Sequence, residues 1–230
     1  NMSRMTFRSV ANALNKLKSS KKAAVSARYF KTERGQYGYG DIFIGVTVPE
    51  QRKIAKHFKE LPLVEVDSLL KNKIHEYRLT ALLILTYKQL DKEIYDFYMN
   101  HTFAINNWDL VDVSAATIVG KYLFDKNRTI LELLTQSEKI WERRIAVIAT
   151  HYFIKQNDFD TTFIVVKNLL NDHHDLIHKA VGWTLREVGK KNKKLLTDFL
   201  IQHASYMPRT ALRYATEHFS PSERHAIVRA

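Results

Sequence analysis

The stretches ALLILTYKQL (81–90) and RRIAVIATHYF (143–153) decide the fold class of this chain. In both, apolar residues recur at three- and four-residue spacing with polar residues between them, which is the period of an amphipathic α-helix. The stretch SAATIVGKYLF (114–124) follows the same pattern. Strand-like alternation occurs only weakly, in DIFIGVTV (41–48), where we expect a loop. The sequence therefore predicts an all-α fold.

Glycine and proline are scarce, at seven and four of 230 residues, so helix breakers are few. Four of the seven glycines lie between residues 35 and 45. Residues 5–34 predict two basic helices joined by 16–22, residues 35–50 predict a loop, and Pro49 is suited to begin the next helix. The loop lacks the G-x-x-x-x-G-K-[ST] pattern, which argues against a nucleotide site.

Internal repeats are the next feature of the sequence. Four segments can be aligned with one another, EYRLTALLILTYK, ERRIAVIATHYFIK, IHKAVGWTLREVGK and MPRTALRYATEHF, with a spacing of roughly 30–35 residues per unit. Each segment has a basic residue ahead of its apolar stripe: Arg78, Arg144, Lys179 and Arg209. We predict an α-solenoid of HEAT-like helical repeats, with 1–230 as a single domain. Within it, 2–50 forms the N-terminal helices and glycine-rich loop, and 51–230 forms stacked helix pairs.

Stacked helix pairs place the same helical position of every repeat on one wall, and in solenoids that wall is usually concave. The basic residues that recur in phase would then line a concave basic groove. The alternative is that they are ordinary solvated residues beside an apolar stripe. That alternative explains one such residue well and four in phase poorly.

The charge of the chain favours a polyanionic partner. Lysine and arginine number 36 against 24 acidic residues, which gives a formal net charge of +12. A protein that is merely basic is the alternative. Cysteine is absent, which excludes disulfides and thiolate chemistry. No signal segment or membrane-spanning stretch is evident, so we expect a cytoplasmic protein without a membrane partner, associated with the bacterial nucleoid.

The segment NNWDLVDVSAATIVG (106–120) carries the strongest local pattern. Asn106 or Asn107 is suited to cap a helix, so that Trp108 falls in its first turn and shares a face with Asp112. A carboxylate on a basic wall is unfavourable for polyanion binding, so its presence there suggests a chemical role. It could stabilise an oxocarbenium ion or orient water at a sugar carbon. The alternative is a core tryptophan and an acid that favours a helix start.

Further candidates lie in the second half of the chain. Trp183 has Arg186 and Lys190 on the same side of a predicted helix, an aromatic group among cations that suits contacts with nucleic acid. Arg144 could bind a phosphate through its guanidinium. The alternatives are that Trp183 is a core residue and that Arg186, Lys190 and Arg144 are ordinary solvated residues.

A metal site has little support in the sequence. His174 and His178 have the i, i+4 spacing of metal ligands, but the segment between them lacks the glutamate of H-E-x-x-H, and no third ligand is near. We therefore predict no metal, and a zinc hydrolase remains a weak alternative. A serine hydrolase has no sequence support either.

Taken together, these motifs resemble those of the AlkD-type DNA alkylation repair glycosylases, a family with HEAT-like repeats. The resemblance covers most of the chain. Its motifs occur in the family's order and with similar spacing: ARYFKTERGQYGYGDIFIGVTVPEQRK (27–53), WDLVD (108–112), IWERRIAV (140–147) and HKAVGWTLRE (178–187).

The resemblance implies a role for each matched residue. Asp112 would be the catalytic carboxylate, and Trp108 and Trp183 the aromatic residues that flank the deoxyribose of the lesion. The implied DNA contacts are Arg144, Tyr29, Arg186 and Lys190. One departure is Asn107, where family members can carry a second aromatic residue.

The implied activity is hydrolysis of the N-glycosidic bond of cationic N3- and N7-alkylated purines in duplex DNA, as in base excision repair. It implies a monofunctional glycosylase that works as a monomer, with double-stranded DNA as partner and without a cofactor. The alternative from another class is a non-catalytic HEAT-like scaffold that binds nucleic acid or protein.

Overall fold

The structure, a computed structural model, describes residues 4–230, and within that range every regular element is helical. An isolated parallel bridge joins Ile42 to Ile74. The predicted all-α class is confirmed; apart from that bridge 41–47 forms a loop, and residue 48 is already helical. None of the helices in this range is both long enough and apolar enough to cross a bilayer. Backbone contacts divide the chain into two compact units, Asn1–Ser114 and Ala115–Ala230.

The described part of the first unit consists of short helices and one 3-10 turn. In chain order they are α1 (Phe7–Asn15), α2 (Ser20–Tyr29), α3 (Val48–His57), α4 (Leu63–Leu70), α5 (His75–Tyr87), α6 (Lys92–Met99), the 3-10 turn Thr102–Ala104 and α7 (Trp108–Asp112).

The second unit begins with a π-helical segment and continues through further helices. In chain order they are the π segment Ala115–Gly120, α8 (Lys121–Leu123), α9 (Thr129–Leu134), α10 (Ile140–Ala149), α11 (His151–Lys155), α12 (Asp160–Leu169), α13 (Asp175–Lys191), α14 (Lys193–His203), the 3-10 turn Ala204–Tyr206, α15 (Arg209–Ala215) and α16 (Pro221–Arg229).

Helix pairs stack within the second unit. Helix α10 packs on α13, and α13 packs on α15, so that these helices form one layer. Helix α9 packs on α12. In addition, α9 packs on α10 and α12 packs on α13, so both helices also contact the first layer. This is the stacking of helical repeats that defines an α-solenoid, as predicted.

The helix boundaries follow from local capping chemistry. Thr47 and Glu50 form a capping box at the start of α3, in which Thr47 accepts from the Glu50 N–H and Glu50 accepts from the Thr47 N–H. Pro49 lies in the first turn of α3, one residue after its start, close to the predicted boundary. Ser220 and Glu223 repeat the capping box at α16.

Helix α5 forms the centre of the first unit and packs against α3 and α4. Its apolar residues Leu79 and Ala81–Leu85 are all buried. Its first turn is also buried, although it carries His75, Glu76 and Arg78. Buried charges need partners, because removing them from water is costly. These partners come from the glycine-rich loop and from α7.

Glu76 fixes the glycine-rich loop to α5. Its Oε2 accepts from the N–H groups of Gly45 at 2.7 Å and Val46 at 3.2 Å, and its Oε1 accepts from that of Ile44 at 3.1 Å. The loop can approach so closely because Gly45 has φ +83° and no Cβ; a Cβ there would lie 2.1 Å from the Ser19 carbonyl oxygen. The loop therefore has a defined position over the start of α5.

Candidate functional site

Helix α7 begins where the sequence predicts. Asn107 is its N-cap, and the Asn107 side-chain oxygen accepts from the Trp108 N–H at 2.8 Å. Asn107 is completely buried. Position 107, where the sequence departs from the family that it resembles, is therefore occupied by a buried residue that caps the helix.

The two outer residues of α7 differ from the three between them. Asp109, Leu110 and Val111 are buried, whereas Trp108 and Asp112 are partly exposed. Residues four apart lie on the same face of a helix. The solvent-accessible face of α7 therefore carries an indole and a carboxylate side by side.

A buried hydroxyl pair holds the C-terminal end of α7. Ser114 Oγ donates to the Leu110 carbonyl at 2.7 Å, so Ser114 accepts from the Tyr98 hydroxyl at 2.8 Å. Burial raises the pKa of Tyr98, and the charge of Asp112 raises it further, against the lowering by the Ser114 hydrogen bond. The Tyr98 hydroxyl therefore stays protonated as a donor.

A histidine between two carboxylates holds the N-terminal end of α7. His75 Nε2 donates to Asp109 Oδ2 at 2.6 Å, and His75 Nδ1 donates to Asp41 Oδ2 at 2.7 Å. Burial lowers the pKa of His75, but the hydrogen bonds and charges of Asp109 and Asp41 outweigh it and raise that pKa to about 9. His75 is therefore an imidazolium at neutral pH.

Arg78 completes this array of charges. Its Nη2 donates to Asp41 Oδ1 at 2.6 Å and to Asn106 Oδ1 at 2.9 Å. Although burial raises the pKa of Asp41, the hydrogen bonds and charges of His75 and Arg78 outweigh it, so the pKa is lowered. The expectation that Arg78 lines a basic groove is wrong, because Arg78 is buried and paired with Asp41.

A cluster of aromatic rings surrounds Trp108. Its indole lies 5.2 Å from Phe30 and 5.9 Å from Tyr29, measured between ring centroids. Phe30 in turn stacks on Phe43 at 5.3 Å. Tyr29 is 62% exposed and forms the accessible edge of the cluster. The predicted residues Tyr29 and Trp108 are thus brought together within the first unit.

The second unit places Trp183 on α13, where it is partly exposed. Its ring meets the buried His151 edge-on, with centroids 4.6 Å apart. His151 Nε2 also forms a hydrogen bond with Thr184 Oγ1 at 2.8 Å. Burial lowers the pKa of His151 to about 4, so this histidine is neutral at pH 7. Trp183 is therefore held by an uncharged imidazole.

The predicted cationic contacts differ in exposure. Arg144 is 5% exposed, and its Nη1 donates to the Leu176 carbonyl at 2.7 Å. Arg186 is partly exposed and pairs with Glu217. Lys190 is exposed and its Nζ lies 2.9 Å from Glu187 Oε1. Of these three cations, Lys190 is the most accessible to a ligand in solution.

The two histidines with metal-ligand spacing serve as hydrogen-bonding groups. His174 Nδ1 accepts from the Leu176 N–H at 3.1 Å, and His178 Nε2 donates to the Asp172 carbonyl. Within residues 4–230, no group of three or more His, Asp or Glu side chains is arranged to hold a metal ion.

Comparison with known proteins gives the relationship of the chain. The model of the DNA alkylation repair enzyme family matches residues 10–219. The chain belongs to this family. A search of curated protein sequences found no match.

A solved structure has a fold similar to that of this chain. It is described as "Predicted DNA alkylation repair enzyme from Enterococcus faecalis", with a TM-score of 0.75 and 19% sequence identity. The match covers 89% of this chain and 97% of the other. At that identity the likeness concerns the fold, and it agrees with the predicted stacking of helical repeats.

The sequence predicts Trp108 and Asp112 as site residues, and that remains a prediction; His75, Asp41 and Asp109 were not predicted as a connected group. His75 is 34 residues from each of its two partners. The only local clue is the run HEYR at 75–78, which places ionisable residues at the start of an otherwise apolar helix. Burial of that run became evident only from the packing.

Proposed function

We propose that this member of the DNA alkylation repair enzyme family is a monofunctional glycosylase. It hydrolyses the N-glycosidic bond of cationic N3- and N7-alkylated purines in duplex DNA. The observation that supports this most is the pair on the accessible face of α7, where a carboxylate lies beside an indole. We further propose that it acts as a cytoplasmic monomer without a cofactor.

The environments of the two acids of α7 support different roles for them. Asp109 is only 9% exposed, and its Oδ2 accepts from His75. Asp112 is partly exposed at the end of α7 and faces the same side as Trp108. We therefore assign the catalytic role to Asp112 and not to Asp109.

The chemistry asked of Asp112 suits a single carboxylate. An alkylated purine carries a positive charge, so it leaves as a neutral base and needs no general acid. As the glycosidic bond breaks, the sugar gains oxocarbenium character, which a nearby carboxylate stabilises electrostatically. The same carboxylate can orient the water that adds to C1′. Uncharged lesions would be poor substrates, because their bases are poorer leaving groups.

The remaining assignments complete the proposal. Trp108 and Trp183 are proposed as aromatic contacts of the lesion's sugar, and Tyr29 as a contact of the opposing DNA. Arg144, Arg186 and Lys190 are proposed as contacts of the DNA backbone. The ion pairs of Arg186 and Lys190 involve partly exposed groups. Such pairs are weak, so a phosphate can replace the carboxylate partner.

The decisive experiment measures release of free base from duplex DNA that contains N7-methylguanine. We expect Asp112→Asn to slow release at least about 10²-fold, because it removes the charge that stabilises the transition state. Affinity for DNA should be kept or improved, since a repulsive charge is lost. The matched control is Asp125→Asn, which neutralises an exposed acid paired with Lys126; its rate should equal that of the parent.

Two outcomes would contradict the proposal. Equal base release by the parent and by Asp112→Asn would reject the catalytic role. DNA binding by a parent protein that releases no base would favour the scaffold alternative. A rate that survives exhaustive chelation would exclude the zinc hydrolase.

A further inference from the structure

We propose that His75, acting through Asp109, is a positioning residue for base release: the buried Asp41–His75–Asp109 array fixes α7 and thereby the working geometry of Trp108 and Asp112. This inference rests on the proposed function. It adds a residue that touches neither the DNA nor the reacting atoms.

The imidazole of His75 is bonded through both of its nitrogens. Both ring nitrogens of His75 face carboxylate oxygens, at 2.6 Å and 2.7 Å. An ionised carboxylate only accepts hydrogen bonds, so both nitrogens must carry protons. The ring is 1% exposed and is fixed from two sides. Charge-assisted hydrogen bonds of this length are among the strongest and most directional in proteins.

The charges of the array balance one another. His75 and Arg78 supply two cations, and Asp41 and Asp109 supply two carboxylates. Asp41 lies in the glycine-rich loop, His75 and Arg78 in α5, and Asp109 in α7. Arg78 also binds Asn106, just before the cap of α7. These four charged side chains, whose charges sum to zero, thus hold three separate segments to one another.

The imidazole also contacts the aromatic rings next to Trp108. His75 stacks on Phe43 with centroids 4.5 Å apart and lies 5.3 Å from Phe30. Phe30 lies 5.2 Å from the Trp108 indole. His75 therefore supports Trp108 twice, through the backbone of α7 by way of Asp109 and through its ring by way of Phe30.

Catalysis depends on this support because the reacting groups must be held in a precise relative position. A misplacement of about 1 Å, even from a change remote from the chemistry, can cost about 10²-fold in rate. Helix α7 has only five residues and cannot hold its own orientation. Asp109 holds it near its start and Ser114 just after its end, and the hydrogen bond between Asp109 and His75 is charge-assisted.

The experiment is a double-mutant cycle in His75→Gln and Asp109→Asn, followed by single-turnover base release at saturating enzyme. We expect each single variant to lose about 10–100-fold in the rate of the folded protein. The double variant should lose less than the product of the two, because removing Asp109 also removes the charge that His75 balances. DNA affinity should change by less than about threefold, since neither residue is proposed to contact DNA.

His101→Gln is the matched control within the same unit. His101 also donates to an aspartate, Asp67, at 2.7 Å, and it also stacks on a phenylalanine, Phe97, but it has no hydrogen bond to α7. Its variant should release base at the parent rate. Circular dichroism at the assay temperature establishes the folded fraction of every variant. An unchanged rate in folded His75→Gln, or strictly multiplicative effects in the cycle, would overturn the proposal.

A second readout separates this proposal from the proposed function. Fluorine NMR of protein labelled with 5-fluorotryptophan reports on each indole without any turnover. We expect His75→Gln to shift or broaden the Trp108 resonance and to leave those of Trp141 and Trp183 unchanged. If the parent released no base, the proposed function would fail, while a shifted Trp108 resonance would still support positioning. An unchanged Trp108 resonance would overturn it.

Discussion

At the scale of single residues, identical side chains take different roles because of their surroundings. Asp109 and Asp112 lie three apart in one short helix, yet Asp109 is buried against His75 and Asp112 is partly exposed beside Trp108. His75 and His151 differ in the same way. The hydrogen-bonded carboxylates around His75 keep it charged, whereas at His151 burial outweighs the opposing charge of Glu187 and keeps the imidazole neutral.

The charge of His75 predicts a loss of stability in alkaline solution. Its pKa is about 9 in the folded protein and 6.5 in an unfolded chain. Because the folded-state pKa is raised, the stabilisation is fully present below pH 6.5, declines above it and is lost above about pH 9. The groups that face the ring are Asp41 and Phe43 from the loop, Asp109 from α7, and Phe30 at the end of α2; Arg78 lies on its own helix.

Urea unfolding between pH 6 and pH 10 measures this effect. The parent should lose more free energy of unfolding over that range than His75→Gln, which has no titrating group at position 75 and otherwise shares the parent's ionisable groups. At pH 6 the variant should be less stable by about 3–5 kcal/mol, the usual cost of removing one partner from a buried ion pair. Parallel pH profiles for the two proteins would contradict the assignment.

At the scale of elements, close helix packing places Trp183. Gly182 lies in α13, where an added Cβ would be 2.5 Å from Tyr214 Cβ and 2.6 Å from the Ala211 carbonyl oxygen of α15. A backbone carbonyl in a helix cannot move aside as the end of a flexible side chain can. Glycine at this position therefore lets α13, the helix that carries Trp183, approach α15 closely.

We expect Gly182→Ala to destabilise the protein by about 1–3 kcal/mol, because the two helices must separate. Gly189→Ala is the control in the same helix. Its added Cβ would meet Leu196 Cδ2, the movable end of a side chain, at 2.4 Å. Since alanine favours helix by up to about 1 kcal/mol over glycine, that variant should be near neutral. Thermal and urea unfolding compare the two, and equal losses would refute the packing argument.

At the scale of the whole molecule, the net charge of +12 is the property most relevant to DNA. Neutralising phosphates releases condensed counterions, so the affinity of the protein for undamaged duplex should fall steeply with salt. The predicted basic positions do not contribute equally, because Arg78 and Arg144 are buried while Lys190 is exposed. Net charge therefore overstates the charge available at any one surface.

Lys190→Gln tests one proposed backbone contact. It should reduce the slope of log affinity against log salt concentration by about 1, the value for one phosphate contact. Lys194→Gln removes the same charge from an exposed lysine that pairs with Asp198, and it should leave the slope nearly unchanged. Equal slopes for the two variants would show that Lys190 has no specific contact.

The sequence predicted much of the fold and part of the site. The helical period, the scarcity of helix breakers and the capping residues are local properties, so they led to the all-α class, to the start of α3 within one residue and to Asn106 or Asn107 as the cap of α7. The pairing of Trp108 with Asp112 is local as well, since i, i+4 residues share a helix face. The burial of Arg78 was not predicted, because an in-phase basic residue has the same spacing whether it faces water or Asp41.

By itself, then, the sequence determined a chain of stacked amphipathic helices, a large positive charge and a tryptophan one helical turn from an acid. Only the tertiary structure decided which acid is buried, which arginine is neutralised and which histidine is charged. The physical reason is distance along the chain: His75 meets carboxylates 34 residues away on either side. Packing alone sets such contacts, and the energy of a charge depends on the partners and the water that packing leaves around it.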